Sequence, residues 1–277
     1  MGERVAKTTV RAVNALTARW AGAACGGTVF SAAGVWPLLA FLADGASGDA
    51  RAELADAVGL PADHAATAAR ELLAATGSMP GLRSALGLWT RHELAVREEW
   101  RAGLPAGTHG VLTDVLPAGQ RALDAWAAER TGGLIERMPV ALDADVVMVP
   151  ASALALRTEW PRPFDELMLS PDAGPWQGRR LAGLRRTGVR LDRAGVTSGP
   201  HGYVTELKVP GDNGIDVHLL LGEQRMPPPA RCWARVSPPW AAGSPWCPAA
   251  NSRTATWDRA CGSSNSGASY RGRRSCP

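Results

Sequence analysis

Hydrophobic residues recur at helical spacing through most of the first 80 residues. Val13, Leu16 and Trp20 share one face, which predicts an amphipathic helix over residues 11–21. Glycine, proline and acidic residues then delimit three more predicted helices. These run from Val35 to a stop at Gly45, from Asp49 to Gly59, and through residues 62–77, where Asp63 supplies the cap.

Period-two alternation begins at residue 82 and predicts the first strand. Leu86 and Leu88 face one side of this strand, and Trp89 faces the other. A second long strand is predicted within residues 143–160. Pro150 is a cost there, because proline cannot donate a hydrogen bond to a sheet ladder.

Helices and strands are mixed in the rest of the chain. Leu123, Trp126 and Ala127 lie along one side of a predicted helix that a glycine pair ends. Two alternating arms within residues 203–222 flank a turn rich in glycine, aspartate and asparagine, and they predict an antiparallel hairpin. Helices first, then helices mixed with long strands, indicate an α+β domain rather than a regular βαβ repeat.

No charged residue occurs between Trp20 and Ala43, a length that could suggest a membrane span. The run contains Pro37 and is continuously apolar only from Val35 to Ala43, which is too short to cross a bilayer. We therefore expect a core helix and no membrane partner. Basic residues also interrupt the first 20 positions, so no signal peptide is indicated and the sequence alone predicts a cytoplasmic location.

Charge divides the chain near residue 222. Residues 223–277 carry eight arginines against Glu223 and Asp258, a net charge of +6. Residues 1–222 carry 22 basic and 24 acidic side chains, a net charge of −2, so the pI of about 9.0 comes from the C-terminal part alone. A nucleic-acid partner needs a basic face on the folded body. The sequence indicates none, and we expect no nucleic-acid partner.

Residues able to carry catalysis or hold a metal are few and scattered. Cys25 is the one cysteine before residue 222, and the four later cysteines lack the paired spacing of a zinc site. His92 and Glu93 begin like a zinc-protease motif, but its second histidine is missing. The sequence therefore predicts neither an enzyme nor a metal or cofactor site, and its five histidines are interpreted as surface residues.

Four stretches together resemble the serpin family of serine protease inhibitors. Residues 27–61 are similar to the serpin segment in which a buried helix follows "FSP" and a short helix ends in "LGL". "LDAWAAERTGGLIERMP" (123–139) resembles the helix that lies across the large serpin sheet. "VPASALALRTEWPRPFDE" (149–166) resembles the third strand of that sheet and its end, and residues 204–222 resemble a hairpin of the second sheet.

The resemblance implies a serpin-like α+β fold, with N-terminal helices packed on a large mixed sheet, and a protease trap. In serpins a serine protease is acylated on an exposed loop, which then inserts as a new strand into the large sheet. Serpins need no catalytic residues or cofactor. By resemblance, Ser31 lies beneath the sheet centre, Ser152 lies on the third strand, and Trp160 marks the loop entrance. Plain core packing would also account for Ser31 and Trp160.

Two positions at the sheet centre depart from the family pattern. The family has a second serine after "FSP" and an asparagine on the third strand, where this chain has Gly34 and Ser152. We therefore expect altered hydrogen bonds at the sheet centre and less efficient trapping.

Residues 224–277 do not continue the serpin pattern. They contain no Leu, Ile, Phe or Lys, so we expect a disordered segment that cannot complete a core. The glutamate-led, alanine-rich hinge and the reactive-centre loop of the family are not found there. Three interpretations are open: an appendage on a shortened serpin, a cysteine-bearing binding module, or a wrong reading frame. The arginine, proline, cysteine and tryptophan content favours the last, in a GC-rich bacterial gene of actinobacterial type.

The predicted organisation has three parts: an N-terminal extension (1–10), an incomplete serpin-like domain (11–222) and the off-pattern segment (223–277). The polypeptide is predicted to be non-inhibitory because its reactive-centre loop is absent. The alternatives are a serpin-like binding protein and a non-functional frameshifted product.

Overall fold

The fold is α+β, as the order of helical and alternating patterns predicts. The structure, a computed structural model, describes residues 5–23, 29–174, 176–187, 193–199 and 202–223. These residues form two compact units, one ending at Thr158 and the other beginning at Glu159. The expectations for residues 224–277 lie outside the described residues.

Four helices begin the N-terminal unit: α1 (Lys7–Ala23), α2 (Ala32–Gly45), α3 (Gly48–Val58) and α4 (Ala62–Gly77). Periodicity predicts all four, although α1 begins at Lys7 rather than near residue 11. α3 ends at Gly59, whose φ of 71° is a left-handed cap that glycine adopts easily. None of the described helices has the length and apolar character of a membrane span.

The helices share a core centred on α2. Trp36 and Phe41 of this helix are 0% and 2% exposed, and Leu16 of α1 packs into the same cluster. The indole Nε1 of Trp36 donates a hydrogen bond to the carbonyl oxygen of Val58 at 2.9 Å, which ties α2 to the end of α3. One buried side chain therefore both fills the core and joins two helices.

The start of α4 corrects one detail of the sequence prediction. Pro61, rather than Asp63, occupies the cap position, and no side chain caps this helix end. Asp63 lies in the first turn, where a negative charge is favourable to the helix dipole, and forms an ion pair with Arg51 of α3. An acidic residue near a helix start indicates the helix but does not fix which position it takes.

A three-stranded mixed sheet packs against these helices, in the order β2-β1-β3. Its strands are β1 (Leu82–Thr90), β2 (His109–Val111) and β3 (Met148–Leu156). β1 and β2 are parallel, and the connection between them contains the short helix α5 (Glu98–Ala102). β1 and β3 are antiparallel, with Leu82 opposite Leu156 and Thr90 opposite Met148. The two strands predicted from alternation are thus neighbours in one sheet.

Pro150 lies where a missing backbone donor costs the sheet nothing. It is opposite Leu88, whose N–H donates to the carbonyl of Thr108 on the β2 side at 2.8 Å. The backbone groups of Leu88 therefore point away from β3, and in an antiparallel pair those of Pro150 then point away from β1. The predicted cost of Pro150 is avoided because it faces the outer edge of β3, where no other described strand pairs.

On the sheet face opposite helices α2 and α4, the indole ring of Trp89 covers two glycines. A Cβ added at Gly110 would lie 2.6 Å from Cδ1 of Trp89, and one added at Gly87 would overlap the far side of the same ring. Trp126, on helix α6 (Leu116–Thr131), meets Trp89 edge-on with ring centroids 5.0 Å apart. α6 therefore packs on the Trp89 ring, which in turn lies against Gly87 and Gly110.

The second unit is built from hairpins. Its strands are β4 (Asp165–Leu169), β5 (Leu181–Arg185), β6 (Arg193–Gly199), β7 (Gly202–Pro210) and β8 (Asp216–Gly222). β4 pairs with β5, and β6, β7 and β8 form an antiparallel sheet in that order. The β7–β8 hairpin confirms the prediction for residues 203–222, and its turn contains Gly214 at φ 77°.

Candidate functional site

The candidate site lies where the start of α2 meets β3. Ser31 has extended backbone angles and caps α2, with its Oγ accepting a hydrogen bond from the N–H of Gly34 at 3.2 Å. A hydroxyl at this position satisfies one of the helix N–H groups that otherwise lack a partner. The apolar helix that follows is thereby anchored at the end nearest β3.

Ser31 and Ser152 border one small space above Gly34. A Cβ added to Gly34 would lie 3.5 Å from Oγ of Ser152, 3.7 Å from Cβ of Leu154 and 3.7 Å from Oγ of Ser31. Gly34 itself is buried. The structure therefore brings together the predicted site residues Ser31 and Ser152 and the departure Gly34. The role that the resemblance gives them stays a prediction.

We expect opposite effects from alanine at the two ends of this cap. Ser31→Ala removes the capping oxygen and should lower the free energy of unfolding by about 1 kcal/mol. Gly34→Ala should raise it by about 0.5–1 kcal/mol, because the space accepts a methyl group in ordinary contact and alanine is the better helix former. Urea unfolding followed by circular dichroism measures both. Destabilisation by Gly34→Ala would show that the space cannot accept a methyl group.

The outer edge of β3 is the second element of the site. Every second residue of β3 after Pro150 has the same orientation as Pro150. These residues are Ser152, Leu154 and Leu156, which lie opposite Leu86, Ser84 and Leu82 of β1. Their backbone N–H and C=O groups therefore point away from β1. Within the described part of the chain this edge has no strand partner, so it offers a row of donors and acceptors to an extended segment.

A polar clasp on α6 holds the segment that leads into β3. Asp124 accepts hydrogen bonds from the backbone N–H of Met138 at 2.9 Å and from the Gln120 side chain at 3.0 Å. The Gln120 oxygen accepts from the N–H of Leu142 at 2.9 Å. The Met138 bond, followed by the Gln120 bond, lowers the pKa of Asp124. The stabilisation that the charged Asp124 carboxylate supplies is therefore fully present above the ordinary carboxyl pKa and is lost as the pH falls through the lowered pKa.

Trp160, the third predicted site residue, lies in the second unit. Its ring meets Phe164 edge-on at a centroid distance of 5.9 Å, and the guanidinium of Arg186 lies 4.4 Å from the centre of the Phe164 ring. The structure places Trp160 in an aromatic and cationic cluster. Its position at a loop entrance stays a prediction.

Two of the histidines have side-chain partners: His109 is partly buried, whereas His218 lies on an exposed strand position, as the sequence interpretation expects. His109 lies on β2, with Nε2 3.0 Å from Oγ1 of Thr90, and burial lowers its pKa. His218 Nδ1 lies 2.5 Å from Oε1 of Glu206, a carboxylate whose residue is 6% exposed. Strand pairing between β7 and β8 creates the second contact, which no local sequence signal predicts.

Helix α6 packs on β1 and β3, as the serpin resemblance predicts for residues 123–139. The family model described as serpin (serine protease inhibitor) matches residues 4–173, more than half of the chain. The chain belongs to the serpin family. By the resemblance of residues 123–139 and 149–166, α6 corresponds to the serpin helix that lies across the large sheet and β3 to the third strand of that sheet. A comparison with curated proteins finds no match.

Solved serpin structures share the fold at low sequence identity. A thermophilic serpin, tengpin, in its latent state is similar with a TM-score of 0.64 at 13% identity, covering 82% of this chain and 64% of that one. Mouse protein Z-dependent protease inhibitor gives 0.65 at 12%, covering 85% and 66%. Thyroxine-binding globulin with thyroxine gives 0.64 at 12%, covering 81% and 65%. The chain thus spans just under two thirds of the length of these serpins.

Proposed function

We propose that this serpin scaffold serves inhibition of a serine-type endopeptidase by loop insertion. The outer edge of β3 is the observation that carries the proposal, because an inserting loop needs free donors and acceptors and no described strand pairs with this edge. The Ser31–Gly34–Ser152 space lies at the same strand. Protein Z-dependent protease inhibitor, similar in fold, supports an inhibitory role by its name.

Two features of the edge weaken insertion in our proposal. Pro150 has no N–H, so a strand lying beside β3 loses one ladder hydrogen bond at that position. Gly34 has no side chain where the family has a serine, so it offers no hydroxyl to bridge α2 and β3. Insertion is proposed to proceed along Ala151–Leu156 and to be less favourable near Pro150.

For the 277-residue polypeptide we propose that no stable protease complex forms. Residues 224–277 carry neither the glutamate-led, alanine-rich hinge nor a bait loop in their sequence. Without a bait bond the protease is not acylated, so no protease is bound to a loop that could insert into the sheet. We therefore propose that this chain keeps the strand-accepting scaffold but lacks the loop that would trap a protease.

Incubation with trypsin-like and subtilisin-like proteases, followed by denaturing gels, tests this. We expect no band near the sum of 29.1 kDa and the protease mass. An inhibitory serpin run in parallel controls for protease quality. A covalent, SDS-resistant adduct of this chain would overturn the proposal.

A non-inhibitory binding protein is the second candidate. One observation favours it: thyroxine-binding globulin, solved with thyroxine, is among the similar structures. The two roles differ in what they require of β3, because a trap must accept an inserted strand and a binding protein need not. Strand acceptance at β3 therefore distinguishes them.

A further inference from the structure

His92, Glu93 and Asp114 converge at one corner of the mixed sheet. β1 and β2 are parallel and end together, with Thr90 opposite Val111. The segments that follow the two strands therefore leave the sheet at the same end, where both strands have their C-termini. This topology, rather than any sequence motif, places His92 and Glu93 beside Asp114.

The spacing of the three side chains suits ligands around one ion. Nδ1 of His92 lies 3.6 Å from Oε2 of Glu93 and 3.7 Å from Oδ1 of Asp114, and the three ligand atoms all lie within 4.8 Å of one another. Two ligands bound at about 2.1 Å to a common metal lie about 3.0–3.4 Å apart. Small side-chain rotations would close the gap, and these side chains are 61–67% exposed and able to make them.

The backbone that carries the three ligands is held on both sides. The N–H of Arg91 donates to Val147 at 2.9 Å, and the N–H of Leu112 donates to Thr90 at 2.9 Å. The Arg91 side chain donates from Nε to the Val146 carbonyl at 2.7 Å, and its Nη1 lies 3.7 Å from Oδ1 of Asp114. Arg91 thus places a positive charge near the Asp114 carboxylate, and a bound cation would compete with that charge.

We propose that His92, Glu93 and Asp114 form a three-ligand site for a divalent transition-metal ion such as Zn²⁺ or Co²⁺. One imidazole nitrogen and two carboxylate oxygens favour such ions over Mg²⁺ or Ca²⁺, which prefer oxygen ligands alone. Three ligands on an exposed corner leave the other coordination positions to water. The bound ion would link the segments that follow the C-terminal ends of β1 and β2, and so stabilise that end of the sheet.

Titration calorimetry of the full chain with ZnCl₂ and CoCl₂ at about pH 7.5 tests the site. The thiols are alkylated beforehand, so that the cysteines cannot bind the metal. We expect one Zn²⁺ bound in the micromolar range and a rise in melting temperature of about 5 °C at saturation. Co²⁺ should show visible absorption bands typical of nitrogen and oxygen ligands.

Substitutions identify the ligands. His92→Ala should weaken Zn²⁺ binding at least about 10-fold, and the conservative Asp114→Asn and Glu93→Gln variants should each weaken it about 10-fold. His64→Ala, which removes another exposed histidine on α4, is the matched control and should bind unchanged. Circular dichroism confirms that every variant is folded. Equal Zn²⁺ affinity in His92→Ala and the unchanged chain, or no binding at 1 mM Zn²⁺, would overturn the proposal.

Discussion

Replacing Trp36 by alanine is expected to lower the free energy of unfolding by about 3–5 kcal/mol. The side chain is 0% exposed at the centre of the helical core, so its removal leaves a cavity that the surrounding helices cannot close fully. The variant also loses the hydrogen bond from Nε1 to the buried carbonyl of Val58. Urea unfolding at 25 °C, followed by circular dichroism at 222 nm, measures the loss.

Trp36→Phe separates the two contributions. Phenylalanine keeps most of the ring but cannot donate to Val58, so the carbonyl oxygen is left without its partner at a cost of about 1–3 kcal/mol. Trp126→Phe is the matched control. The Nε1 of Trp126 is buried with no hydrogen-bond partner among the described residues, so the same substitution there should be close to neutral. Equal losses in the two phenylalanine variants would contradict the assigned role of the Trp36 hydrogen bond.

The second large effect concerns the glycines beneath Trp89. Gly87→Ala should cost about 2–3 kcal/mol, because the new methyl group overlaps the Trp89 ring and lies 3.1 Å from Cζ2 of Trp126. The ring cannot move away freely, since it also covers Gly110 and meets α6. Gly77→Ala at the end of α4, where an added Cβ meets nothing within 4 Å, is the control and should not destabilise.

A double-mutant cycle shows whether the ring is the cause. In a Trp89→Ala background the overlap is gone, and Gly87→Ala should cost less than about 1 kcal/mol, because alanine also loses less backbone entropy than glycine on folding. The coupling between the two positions is then about 2 kcal/mol. The same cost for Gly87→Ala in both backgrounds would contradict the packing described for Trp89.

Local patterns predict the elements that carry their own signal. α2 is recognisable from an apolar run ended by Gly45, β1 from its alternation, and the β7–β8 hairpin from its turn residues. In each case the residues that decide the structure are near neighbours in sequence. Local sequence patterns were therefore sufficient to predict these elements.

Elements that depend on distant partners were missed. β4 and β5 are short and mostly exposed, and β6 contains glycines in place of an apolar alternation, so nothing local distinguishes them from loops. Their pairing supplies the stabilisation that their sequences do not indicate. The same reason explains the misplaced Asp63 cap, because its carboxylate pairs with Arg51 on another helix.

The candidate site could be predicted only in part. Resemblance pointed to Ser31 and Ser152, but their convergence on Gly34 requires α2 to pack against β3. The cluster of His92, Glu93 and Asp114 was missed, because the residues are brought together by the parallel pairing of β1 and β2. His92 and Glu93 are 21 or more residues from Asp114 in sequence, so no local motif contains all three.

Binding of a strand to the outer edge of β3 tests the central claim most directly. The probe is a synthetic peptide with the glutamate-led, alanine-rich sequence of a serpin hinge, added in excess and followed by thermal unfolding. We predict a rise in melting temperature of more than about 5 °C, since a ligand that binds only the folded state stabilises it. Pro150→Ala should enlarge the rise by restoring a donor to that edge. No rise, or an equal rise with the same peptide interrupted by a central proline, would contradict the account.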